Sequence, residues 1–200
     1  MRDISGTPDL GPASRALTSL VHGVGDHQLT AVTPCAGWVV GDLLDHLVGL
    51  TVAFRTAAEK GSDRAPGGPG RPALANLDPA WRSVLPAQLD HLVAAWRAPS
   101  AWTGETAAGG VVLPAEVMGL VALNEVFMHG WDLARATGQA YDADPQTVEW
   151  VHGLVSQQAS SEGTPGLFGP SVMVPAEAAL LDRVVGLTGR DPAWAAPTVS

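Results

Sequence analysis

Two hundred residues with one cysteine are enough to bury about 70% of the unfolded chain's surface, so neither a disulfide nor a structural metal is needed for a core. Eleven Lys and Arg against twenty Asp and Glu give a formal charge of -9, which repels phosphate backbones and argues against nucleic acid as a partner. No run of eighteen apolar residues reads as a membrane span, and no secretory h-region opens the chain, which points to the cytoplasm.

From Pro12 to about Thr30, Leu17, Leu20, Val21, Val24 and Leu29 recur at roughly the helical period, weakened by Gly23 and Gly25. Thr33-Pro34 marks a break, with Trp38 packing at its end. From Gly41 to Lys60, Leu43, Leu44, Leu47, Leu50 and Phe54 define a clear second helix. GSDRAPGGPGRP then reads as a Gly/Pro loop. A third helix is expected over Asp78 to Arg97, with Pro86 at a kink or at the end of the first turn. Ser100 to Val112 is Gly- and Thr-rich, and Pro114 is expected at the first position of a fourth helix that Gly138 stops after Thr137. Pro145 begins a fifth helical segment to about Gln158. The stretch SSEGTPGLFGPSVMVP is irregular, with Val172 to Val174 strand-like, and Ala176 to Leu187 forms a last short helix. The expected fold is all-α: an up-down four-helix bundle with core at about 12–158 and a covering segment at 159–200, forming one domain over 1–200.

The sharpest chemical signal is Glu125 and His129. They lie at i and i+4 in NEVFMHGWDLARATG, so they share one helical face about 6 Å apart along the axis. His46, between Leu43 and Leu47 in the second helix, is the best further donor. An imidazole–imidazole–carboxylate set with an open position suits zinc, and also nickel or iron. The same pattern fits a core histidine paired with a carboxylate, and the spacing alone leaves both readings open.

Three blocks, TPCAGWVVGDLLDHLVG, EVFMHGWDLARATG and FGPSVMVPAEAALLDRVVGLTGRDPAW, resemble those of actinobacterial proteins grouped with the mycothiol-dependent maleylpyruvate isomerase N-terminal domain, within the DinB-like superfamily. The resemblance extends over nearly the whole chain. It implies a four-helix bundle whose metal ligands, carried over residue by residue, are His46, Glu125 and His129. The tail block resembles a smaller, single-domain branch rather than the full isomerase with a separate C-terminal domain.

The resemblance implies mycothiol as a co-substrate beside a divalent metal, with the thiol adding to a small electrophile and giving isomerisation or thiol transfer. The alternative is a non-catalytic metal- or small-molecule-binding bundle. Asp132, near the metal face, is a candidate for orienting a ligand imidazole. Arg135 is a candidate for receiving an acidic group, against a plain solvated arginine late in a helix. Trp38 and Trp131 are candidates for ligand contact or for packing beside a pocket. Cys35 is read as a buried or half-buried inert thiol, because no histidine stands at an interpretable spacing. His91 is a boundary histidine or a fourth ligand. Gly67-Gly68-Pro69-Gly70 is no phosphate loop, since GK[ST] is missing and proline removes amide donors. The expected partners are a small-molecule substrate and a low-molecular-weight thiol. A charged fraction of only 16% also suits a homodimer that buries part of its surface.

Overall fold

A computed structural model describes residues 6–61, 70–158, 160–163 and 168–197. Most of the GSDRAPGGPGRP loop, including Gly67 to Pro69, and residues 164–167 of the SSEGTPGLFGP segment lie outside the described residues.

Among the described residues, six α-helices follow in chain order: α1 (Gly11–Gly23), α2 (Val40–Ala58), α3 (Trp81–Trp96), α4 (Ala115–Thr137), α5 (Pro145–Gln158) and α6 (Leu180–Leu187). The first four pack in a closed ring, with α1 against α3 and α4, and α2 against α3 and α4. The apolar stripes read from the sequence supply the core: Leu17, Leu43, Leu47, Leu85, Leu89 and Leu123 are fully buried. Helix α5 packs on α4, and α6 packs on α5. Among the described residues, no helix is long and apolar enough to cross a membrane.

Several local expectations are corrected. Helix α1 ends at Gly23, not near Thr30, and a 3₁₀ turn at Asp26–Gln28 follows. The Gln139 side chain explains the early stop. Its Nε2 donates to the Leu20 carbonyl at 3.1 Å, and it lies so close to Gly23 that a Cβ there would collide with it. Pro114 stands just before α4 as its N-cap residue, and Ala115 opens the helix. The Gly- and Thr-rich stretch contains an antiparallel hairpin, β1 (Glu105–Ala108) and β2 (Val111–Pro114), turned by Gly109 and Gly110 at φ 58° and 81°. Two successive positive φ values are the requirement of a tight hairpin turn, and glycine meets it without strain. Val172 to Val174 form no strand; the Val172 amide donates instead to the Gly186 carbonyl beside α6. Pro86 lies within α3, just past its first turn, where its ring nitrogen forgoes one helical hydrogen bond. Gly138 ends α4 in the left-handed region at φ 71°, as the sequence predicts.

Candidate functional site

The ring order makes α2 and α4 neighbours, and the site lies between them. Helix α2 starts sharply because Asp42 turns back to accept the Val39 amide at 3.0 Å, while its other oxygen accepts the Leu74 amide at 2.6 Å. One turn later His46 projects toward α4. There Glu125 and His129 present the shared face that their spacing implied.

Glu125 Oε2 lies 3.5 Å from His46 Nε2 and 3.2 Å from His129 Nε2. One ligating atom from each of the three falls within 4.8 Å of the others. Ligands held 2.0–2.2 Å from a tetrahedral ion stand about 3.4 Å apart, so this donor set and its spacing fit a divalent ion. The three side chains are partly shielded, with 26%, 21% and 9% of their surface exposed for His46, Glu125 and His129. Trp38 follows a tight loop in which the Thr33 amide donates to the Trp38 carbonyl. Its ring meets the His46 ring edge-on at 5.0 Å and stacks near His129 at 6.2 Å.

Behind His129 stands a buried ionic network. Asp132 Oδ2 lies 2.9 Å from His129 Nδ1, accepts from Arg190 Nη2 at 2.8 Å and accepts from the Cys35 thiol at 3.0 Å. Asp132 Oδ1 accepts from Arg190 Nε at 2.8 Å. The Asp132 carboxylate is fully enclosed. Burial pushes its carboxyl up, but the Arg190 charge and hydrogen bonds from His129 and Arg190 outweigh this and bring it to about 2. Burial likewise opposes charge on Glu125, yet hydrogen bonds from His129 and His46 hold its carboxyl well below the ordinary range. Burial lowers His129, while Asp132, Cys35 and Glu125 raise it further, leaving it well above its ordinary value. An imidazole between two carboxylates favours the charged form until an ion takes the place of the Nε2 proton.

The sequence candidates divide cleanly by place. His46, Glu125, His129 and Asp132 come together, and Trp38 joins them. Trp131 is buried in the core, with Arg135 over its ring at 5.8 Å. Arg135 is turned to the tail: its Nε donates to the Trp194 carbonyl at 2.9 Å, and its Nη2 donates to the same oxygen. Neither Trp131 nor Arg135 lines the hollows beside the cluster. His91 is exposed on α3. Sequence reasoning missed Arg190 and set Cys35 aside. The signal for Arg190 was its place in the tail block, in GRDPAW directly after α6.

Two hollows meet at the cluster. The smaller, about 350 Å³, is lined by Trp38, Asn124, His129, Phe168 and Arg190, together with His46 and Glu125. Asn124 is buried there, and its Oδ1 has no hydrogen-bond partner among the described residues. The larger is an open cleft of about 830 Å³ that shares His46 and Glu125. An open face beside a three-donor set can admit a reactant to the ion.

Residues 10–134 match the family model described as the mycothiol maleylpyruvate isomerase N-terminal domain. Two uncharacterized proteins of Mycobacterium tuberculosis, from strains CDC 1551 / Oshkosh and H37Rv, are each 32% identical over 193 residues, spanning 89% of this chain and 93% of theirs. Among solved structures, the mycothiol-dependent maleylpyruvate isomerase aligns with a TM-score of 0.65 over 92% of this chain and 88% of its own. A histidine-to-alanine mutant of that isomerase aligns with a TM-score of 0.66 over 90% of this chain and 86% of its own. Both are 16% identical to this chain, a likeness of fold alone.

Proposed function

Because this chain belongs to the mycothiol maleylpyruvate isomerase N-terminal domain family, we propose that it is a divalent-metal-dependent enzyme that uses mycothiol to isomerise a small electrophile or to transfer the thiol to it. The observation that carries the metal reading is the convergence of one donor atom each from His46, Glu125 and His129 within 4.8 Å of one another. These three residues would hold the ion, with zinc matching the donor set best and nickel or iron also suited. When bound, such an ion favours thiolate over thiol near neutral pH and so supplies a nucleophile.

The remaining work falls to the chain's own groups. Asp132 accepts a hydrogen bond from His129 Nδ1, which leaves Nε2 directed at the other two donors. Arg190 keeps Asp132 ionised for that task. Trp38 covers the imidazoles and limits water at the junction of the two hollows. Asn124 Oδ1 offers an unused acceptor to a polar group of the thiol in the smaller hollow. Thiolate addition to an activated double bond, rotation about the resulting single bond and expulsion of the thiolate complete an isomerisation. Retention of the new C–S bond, with the adjacent carbon taking up the proton that the thiol gave up, gives thiol transfer.

The test uses tag-free protein. Metal analysis should find close to one zinc, nickel or iron per wild-type chain and under a tenth of that in His129→Ala; equal content in both rejects the ligand set. Metal-loaded wild type should consume mycothiol with an activated alkene. Bound metal without thiol consumption would instead identify a non-catalytic binding protein.

A further inference from the structure

The larger hollow is unlike the smaller in its chemistry. On α2 its wall is built from His46, Gly49, Leu50, Ala53 and Phe54, the i, i+3, i+4, i+7 and i+8 positions of one helical face. On α4 it is built from Val117, Met118, Val121 and Glu125, and the β-hairpin adds Ala108, Val111 and Leu113. These are faces that would ordinarily interdigitate where two bundle helices pack. Here they stand apart and leave about 830 Å³.

Charge is confined to one end and the rim. His46 and Glu125 close the inner end, Asp45 already accepts the Ala73 amide at 3.0 Å, and Arg71 is exposed. Between them the described wall is predominantly aliphatic and aromatic. A carboxylate placed against that described wall would give up its hydration without a partner, because the proposed ion stands at the inner end and Arg71 at the rim.

Gly49 lies on the same wall. A glycine inside a helix is less favourable than alanine, so its presence calls for a local reason. Its helical backbone does not require one, and neither does packing, because a Cβ at Gly49 would meet nothing within 4 Å. Gly49 is exposed, so what glycine leaves here is open room at the mouth of the cleft, three residues after His46.

We infer that the cleft receives the apolar body of the electrophile: an uncharged alkyl- or aryl-bearing molecule with its reactive carbon at the His46–Glu125 end, not a dicarboxylate of the maleylpyruvate kind. This substrate class rests on the proposed thiol chemistry, but the cleft's preference can be read without turnover.

N-alkylsuccinimides, unreactive relatives of N-alkylmaleimide electrophiles, serve as probes from methyl to hexyl, with an ω-carboxyhexyl member for comparison. Titration calorimetry on metal-loaded and metal-stripped protein should show affinity rising about fourfold per added methylene. The carboxylate member should bind at least tenfold more weakly than hexyl. Gly49→Leu should raise Tm by about 2 °C through helix propensity while weakening hexyl binding at least tenfold. Val117→Glu puts an acid in the first turn of α4, where the helix dipole favours it, and should also weaken hexyl binding while the fold persists. Affinity that is flat along the series, equal binding of the carboxylate member, or unchanged hexyl binding in a folded Gly49→Leu protein overturns the inference. Chain-length dependence in a protein that never consumes thiol would uphold the cleft's ligand class and sink the thiol chemistry. Thiol consumption with flat affinity would do the reverse.

Discussion

Replacing Arg190 with methionine isolates the value of the buried ionic network. The guanidinium meets both oxygens of Asp132 at 2.8 Å, with 15% of the arginine side chain exposed and none of the aspartate's. Methionine keeps much of the apolar stem and removes the charge. A carboxyl held at about 2 instead of its ordinary 3.8 represents about 2 kcal/mol of stability at neutral pH. Removing one partner of a buried pair costs about 3–5 kcal/mol, because the other charge is left without compensation. His129 and Cys35 remain beside Asp132, which favours the lower end, about 3 kcal/mol, and a fall in Tm of about 6–12 °C. The folded-state value of Asp132 is depressed, so its contribution is complete above the ordinary 3.8 and disappears as pH falls through about 2. Urea titrations of metal-stripped wild type and Arg190→Met should therefore differ most near neutral pH and converge between about pH 4 and pH 2. A difference below about 0.5 kcal/mol at neutral pH, or one that ignores pH across that window, would refute the assignment.

Asp132→Asn should weaken metal binding about 10- to 100-fold in a chelator competition, because the partner of His129 Nδ1 loses its charge; unchanged affinity would detach Asp132 from the metal site. Since His129 is held well above its ordinary value, ion uptake near neutral pH should release about one proton, measured by calorimetry in buffers of different ionisation enthalpy; zero release would contradict the pairing with two carboxylates. Gly119→Ala should cost about 1–3 kcal/mol in urea unfolding, because its Cβ would run into the Trp102 and Trp96 rings; a neutral effect would mean that α4 does not approach them so closely. Gly138→Val should lose at least about 1 kcal/mol, as a β-branched residue is strained at φ 71°; full retention of stability would argue against the left-handed cap.

The sequence disclosed what local periodicity governs. Helices α2 and α4 carry long apolar stripes, and the i, i+4 geometry of Glu125 and His129 follows from helix dimensions alone. The early end of α1 was hidden because Leu29 continues the apolar phase, while the Gln139 side chain that meets Gly23 comes from after α4. The hairpin was hidden because ETAA alternates too weakly to read as a strand, and its signal resides in the Gly109–Gly110 turn. Cys35 was judged by neighbours in sequence, whereas its partner Asp132 is 97 positions away. Arg190 could not be paired with an acid 58 positions earlier by any spacing rule. Arg135 has a suitable helical position, yet the tail presents it with the Trp194 carbonyl.

The tie among Cys35, Asp132 and Arg190 also bears on the order in which the molecule can be made. During synthesis α2 and α3 are local partners and can pair early, while Asp132 emerges far ahead of the arginine that will neutralise it. Until the segment after α6 leaves the ribosome, burying that carboxylate lacks its main compensation, so α4 has reason to remain loosely seated. Firm seating of α4 is therefore expected only once the segment carrying Arg190 has joined the bundle.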